Sequence, residues 1–212
     1  MEVRSWAVFG LLGERLGRSF FPDMYRRIKP LGRRRENAGE TLDGAVCVMN
    51  GTSKNLILIG MPGCGKSTVG RELAQRLGRP LVDLDEEIER EAGASIPEIF
   101  ARQGEEAFRN LEHQVLMKAT RRKGVVIATG GGVVTRAENL EPMHQNSVVI
   151  FLRRNLELLP REGRPVSQRD GIETLYRQRL PLYQQAADMD VYNQTVEKAA
   201  SEIIERALPR LG

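Results

Sequence analysis

The stretch LILIGMPGCGKSTVG, Leu56 to Gly70, constrains this chain more than any other. NLILIG reads as a buried strand, and STVGRELAQRLG carries Val69, Leu73 and Leu77 at helical spacing before a stop at Gly78. Between them, Gly60 to Ser67 fits the pattern GxxxxGK[ST] without a gap. Glycines in such a turn let consecutive backbone N–H groups converge on phosphate oxygens, and the start of the following helix adds its positive dipole end. Lys66 supplies mobile charge for the β- and γ-oxygens of a nucleotide, and Ser67 a hydroxyl for Mg²⁺. Gly63, Cys64, Gly65 and Thr68 complete the expected nucleotide contacts, with Cys64 needing only to be small.

From Asn55 onward strand-like and helix-like segments alternate. PLVDLD reads as a second strand and DEEIEREAG as a short helix. Ser95 is placed to cap SIPEIFARQG, and GEEAFRNLEHQVLMKATRR is a longer amphipathic helix. GVVIATG and SVVIFLR are near-continuous apolar runs, as expected of parallel strands covered on both faces. GIETLYRQRLPLYQQAA and TVEKAASEIIERAL read as helices with a weak strand, MDVYN, between them. The expectation is a three-layer α/β fold with a parallel sheet, occupying residues 55–212. Residues 1–54 do not continue the rhythm and are expected to form a short irregular extension and linker.

A chain of 212 residues holds one sizeable core, or one domain with an appendage. No apolar run approaches the roughly 20 residues needed to cross a bilayer. The net charge of +4 could suggest nucleic acid, but its position argues otherwise. Residues 1–50 carry +3, mostly in the cluster around Arg33, Arg34 and Arg35, and residues 51–212 only +1. No aromatics are interleaved with that cluster, so it reads as a solvated linker, with neither nucleic acid nor membrane as partner. Cys47 and Cys64 read as free thiols of a reducing compartment, and the apolar run Ala7–Leu12 lacks a cleavage pattern, so the cytoplasm is expected.

A phosphate cradle alone does not separate a small-molecule kinase from a GTPase, a motor ATPase or a nucleotide kinase; the acceptor side has to decide. Asp83 and Asp85 are two apart at the end of a predicted strand, which would aim both carboxylates into the crevice at the sheet's carboxyl edge. Alternatively, Asp85 caps the helix that follows. Arg109 is either a ligand-binding cation or a surface charge paired with Glu105 or Glu112. Gly130, Gly131 and Gly132 follow a buried strand, and three adjacent glycines are best explained where a ligand approaches main-chain atoms, a tight loop being the alternative.

The cradle GMPGCGKS, the DLD pair, the arginine of FRNLE, the GGG after a strand, the later GRP and the RLPLY helix occur in one order. Over roughly residues 55–208 this closely resembles shikimate kinase. The resemblance implies a nucleoside-monophosphate-kinase-like P-loop fold, ATP and Mg²⁺ as cofactors, and transfer of the γ-phosphoryl group to the 3-hydroxyl of shikimate. It implies that Asp85 holds the ring hydroxyls and acts as base, and that Asp83 reaches Mg²⁺ through water. Arg109 and Arg179 would grip the shikimate carboxylate, Gly130 to Gly132 would wall its pocket, Arg164 would swing over the phosphates from a lid, and Arg161 would lie on adenine. The family's lid usually reads RPLL; here Arg164, Pro165, Val166 and Ser167 stand in a short lid between Phe151 and Gly171. A monomer is expected.

Trp6 to Ile28 looks like the opening of shikimate dehydrogenase, with Ser19 retained and Phe21 in place of the second serine of that family's turn. It is expected to be a truncated remnant without catalytic contribution. His113 and His144 are too few and too isolated for a metal cluster and are expected at the surface. Rival readings are a gluconate or nucleotide kinase, and a nucleotide-binding regulator that has lost catalysis.

Overall fold

Asn55–Ile59 (β1) is completely buried over all five residues, which is why Leu56 to Ile59, hidden on both faces, are apolar and the one polar residue, Asn55, is hydrogen-bonded. Each large side chain there contributes about 1.5–3 kcal/mol by leaving water. The computed structural model describes residues 53–159 and 171–211. They all belong to one of two units of the chain, Gly44–Gly212; the other, Met1–Asp43, lies wholly outside the described residues. So do Trp6 to Ile28, the Arg33 cluster, Cys47, and Arg161 and Arg164 with the lid tetrapeptide.

After β1 the elements follow as α1 (Lys66–Leu77), β2 (Leu81–Asp83), α2 (Leu84–Ala92), α3 (Ile96–Thr120), β3 (Val126–Ala128), α4 (Leu140–His144), β4 (Ser147–Arg153), α5 (Ile172–Ala186), β5 (Met189–Tyr192) and α6 (Val196–Leu211). The five strands form one parallel sheet in the order β2-β3-β1-β4-β5. Leu56 lies opposite Val126 on one side and Val148 on the other, so the glycine turn leaves the central strand. The expected parallel α/β architecture is borne out. β5 is an edge strand with alternating burial, which is why MDVYN gives only a weak signal.

Local chemistry sets the element ends. Gly78, with φ 62°, stops α1 in the left-handed region. At the start of α3, the Glu98 carboxylate accepts from the Ser95 N–H at 2.9 Å and from its hydroxyl at 2.8 Å. α3 breaks at Gly104, φ 81° and ψ 176°, which is the boundary between the two helices expected from sequence. The buried Asn55 amide donates to the carbonyls of Thr120 and Arg122 and accepts from the Val125 N–H. One side chain thus ties the end of α3 and the entry to β3 to the start of β1. No helix among the described residues is long and apolar enough to cross a membrane.

Candidate active site

The donor loop departs from β1 at Gly60, whose φ is 146°. A Cβ there would stand 2.4 Å from the Leu152 carbonyl oxygen of β4, so the turn hugs the neighbouring strand as only glycine permits. Gly65, with φ 99°, is the N-cap of α1, and a Cβ on it would meet Asn193 Nδ2 at 2.6 Å. That amide donates to the Cys64 carbonyl at 2.8 Å, while the Asn193 N–H donates to the Arg153 carbonyl at 2.8 Å. Asn193 therefore pins the loop to the carboxyl ends of β4 and β5. Sequence reasoning missed it; the only signal is a polar residue directly after an edge strand. Cys64 is a free, fully buried thiol beneath the loop, and its N–H donates to the Met61 carbonyl. Lys66 Nζ donates to the carbonyls of Gly60 and Met61, each at 3.0 Å. The first N–H groups of α1 have no intrahelical acceptor and open on the same side.

On the acceptor side, the strand geometry expected for the two aspartates is overturned. β2 ends at Asp83, whose carboxylate accepts from the Asp85 N–H at 3.1 Å. Asp83 is therefore the cap of α2, and the backbone turns at once, so the two side chains do not share a strand face. Asp85, exposed in the first helical turn, is the one that faces the crevice.

Arg109 is no surface charge. It is only 7 % exposed, with Nη1 2.6 Å from Glu112 and Nη2 3.4 Å from Glu105. Glu112 was considered from sequence only as an exposed partner, yet it is 1 % exposed and its Oε1 has no protein partner. Burial pushes the Glu112 carboxyl above the usual range, against the pull of Arg109. Losing one member of so buried a pair typically costs about 3–5 kcal/mol. Arg179, 5 % exposed, donates from Nη1 to the Gly131 carbonyl at 3.1 Å. The Tyr183 hydroxyl donates to that same carbonyl, and its ring stacks on Phe151 at 4.9 Å. Burial drives the Tyr183 phenol upward, which keeps it a donor.

The three glycines also make room for side chains of the chain itself. A Cβ on Gly132 would fall 2.2 Å from Arg109 Nη1, one on Gly131 would fall 2.6 Å from Pro62 Cδ, and one on Gly130 would fall 2.6 Å from Glu112 Oε1. The chain's own arginine, proline and glutamate crowd this loop. Gly131 accordingly joins the acceptor loop directly to the donor loop.

One cavity of about 470 Å³ is lined by Gly63, Gly65, Lys66, Ser67 and Thr68 from the donor loop and by Asp85, Arg109, Gly130, Gly131, Gly132 and Arg179 from the acceptor side. Cys64 and Asp83 do not line it. Arg161 and Arg164 lie outside the described residues. His144 is exposed as expected, whereas His113 is half-buried, its Nδ1 2.7 Å from Asn139 Oδ1. For a divalent cation the chain offers the Ser67 hydroxyl in the first turn of α1 and the second oxygen of Asp83, both hard donors. Few protein oxygens, completed by phosphates and water, suit Mg²⁺, which seldom takes an all-protein cage.

A family model described as shikimate kinase matches residues 62–209. A shikimate kinase of Burkholderia thailandensis is 43 % identical over 142 residues, spanning 63 % of this chain and 77 % of that protein. One from Acinetobacter baumannii is 42 % identical over 166 residues, spanning 74 % and 91 %. The solved structure of the Acinetobacter baumannii shikimate kinase in complex with shikimate superposes with a TM-score of 0.69 at 37 % identity, covering 75 % of this chain and 95 % of that one. The shikimate kinase of Aquifex aeolicus gives 0.65 at 34 % identity.

Proposed function

This chain belongs to the shikimate kinase family, an ATP-dependent kinase family, and we propose how its cavity divides the work of moving the γ-phosphoryl group of ATP to the 3-hydroxyl of shikimate. Phosphoryl transfer asks for positioning and neutralised charge more than covalent help. On the donor side, the main-chain N–H groups from Gly63 to Thr68 receive the phosphate oxygens, and Lys66 exchanges its carbonyl acceptors for the β- and γ-oxygens. Ser67 and, through water, Asp83 would hold Mg²⁺, which would supply further positive charge at the phosphates. Arg164 and Arg161 serve the phosphates and the adenine.

On the acceptor side, Arg109 and Arg179 present planar forks to the substrate carboxylate, a pairing that favours a small acid over a neutral sugar. Glu112 holds Arg109 in that orientation through the 2.6 Å bond. The Arg179 donor to Gly131 fixes its side chain against the glycine loop in the same way. Asp85 orients the attacking hydroxyl and takes its proton. The chain works as a cytoplasmic monomer through residues 55–212, without help from residues 1–54.

The observation that carries this reading is the convergence of Asp85, Arg109 and Arg179 on the cavity that also holds Lys66 and Ser67. An ADP-release assay tests it. Shikimate should elicit Mg²⁺-dependent ADP formation, and gluconate or a nucleoside monophosphate should not. Turnover with either of those acceptors alone would reassign the substrate, and nucleotide binding with no turnover would favour a regulator.

A further inference from the structure

Two arginines follow one another at the carboxyl end of β4, and they are treated differently. Arg153 is exposed and lies 3.4 Å from Asp190 on the edge strand. Arg154 turns toward the cavity and lines it. Among the described residues it makes no hydrogen bond or ion pair, and its Nε is shut off from solvent without an acceptor. Its Nη1 stands 3.9 Å from where a Gly65 Cβ would be, beside the N-cap of α1 and the Asn193 amide that pins the loop.

A solvated surface arginine would leave its Nε in water, and a structural one would have an acceptor. Arg154 has neither, and a buried donor left unmatched costs about 1–3 kcal/mol. The surroundings add to that cost, because the amino end of α1 and the Lys66 ammonium are themselves positive. Three acids line the cavity, and none of them is bonded to Arg154: Glu112 is bonded to Arg109, Glu89 accepts from the Ile96 N–H at 2.9 Å, and Asp85 lies on the acceptor side against Gly130. A fixed cation pointed at a phosphate-binding loop, with donors to spare and no acid bonded to it, is suited to an anion arriving from outside.

We propose that Arg154 contacts the polyphosphate of the bound nucleotide, as a fixed guanidinium on the rim of the donor loop that supplements Lys66. The proposal rests on the reading of the loop as the ATP site. It does not depend on which acceptor the kinase uses. LRRN carries the only sequence signal: a second arginine immediately beyond a buried strand, at the edge where such sheets bind ligands.

The test compares the full chain with Arg154→Met and Arg154→Lys, reading the dissociation constant for ATP, inhibition by inorganic tripolyphosphate, the KM for shikimate, and thermal melting. Methionine should weaken ATP and tripolyphosphate alike by about 10- to 100-fold. Lysine should restore part of the loss, because it keeps the charge without the fork. The shikimate KM and the melting temperature should stay near wild type. Unchanged ATP affinity in a folded methionine variant overturns the proposal. So does weakened ATP with unchanged tripolyphosphate, which would put the contact on the base, and so does a rise confined to the shikimate KM. Failure of the substrate assignment looks different: wild-type protein would then release no ADP with shikimate, whatever Arg154 does for nucleotide.

Discussion

The donor loop is a run of consecutive residues, Gly60 to Ser67, whose working groups are main-chain amides and one lysine; the acceptor pocket collects side chains from Asp85, Arg109 and Arg179 on three helices and closes them with Gly130 to Gly132. The loop is specified by backbone conformation, so its essential positions are glycines at φ values other residues rarely adopt. The pocket is specified by burial and pairing: Arg109 on Glu112 and Arg179 on the Gly131 carbonyl. A side-chain replacement should therefore silence one part of the acceptor region without touching nucleotide binding. In the loop, apart from Lys66 and Ser67, the equivalent damage requires adding a Cβ.

The largest effect expected is from Asp85→Asn, which removes the acceptor-side charge. Turnover with shikimate should fall by about 100- to 10,000-fold while ATP affinity persists; near-normal turnover would take Asp85 out of its role. Next come Arg109→Ala and Arg179→Ala. Loss of one charged hydrogen-bonding partner of a carboxylate is worth about 2–5 kcal/mol, so the shikimate KM should rise at least about 30-fold. An effect on the ATP KM alone would break the division between the regions.

Gly131→Ala is designed to defeat that division, because its Cβ would meet Pro62 of the donor loop at 2.6 Å. Overpacking of this kind costs about 1–3 kcal/mol, visible as a lower urea midpoint, and both substrates should bind less well. A change confined to shikimate would show that the two loops are not coupled there.

The smallest effect is a pH dependence. Burial raises the Glu112 carboxyl above its unfolded value. Its contribution to stability is then full in acid, below the unfolded value, and is lost as pH rises through the raised folded one. Glu112→Gln does not titrate, so its melting temperature relative to wild type should climb with pH across that window. Parallel melting curves at every pH would contradict the assigned direction.

How much of this was legible in the sequence follows the same contrast. The donor loop was readable from residues alone, because a local motif between a strand and a helix fixes local geometry, and the strands and helices around it stand where periodicity put them. The acceptor pocket was not. Asp83 and Asp85 suggested a shared strand face, but the chain turns into α2 between them, which one hydrogen bond from Asp85 N–H to Asp83 decides. The glycine triplet signalled close approach and does line the cavity, but nothing local told that Arg109, Pro62 and Glu112, residues up to 69 positions away in sequence, crowd it as well. Only the resemblance to shikimate kinase, and no local pattern, pairs Arg109 with Arg179. The burial of Glu112 and the parts played by Arg154 and Asn193 stayed hidden, since the faint local signals, an arginine just beyond β4 and an asparagine just beyond β5, do not tell which partners tertiary packing supplies.

In the proposed division of work, the buried guanidinium groups of Arg109 and Arg179 select an acidic acceptor opposite the phosphate loop. The most direct test is the kcat/KM of the purified full chain for shikimate beside that for its neutral carboxamide, at saturating ATP and Mg²⁺. A loss of at least about 100-fold is expected for the carboxamide, carried mainly by KM. Equal efficiency for the two acceptors would contradict it.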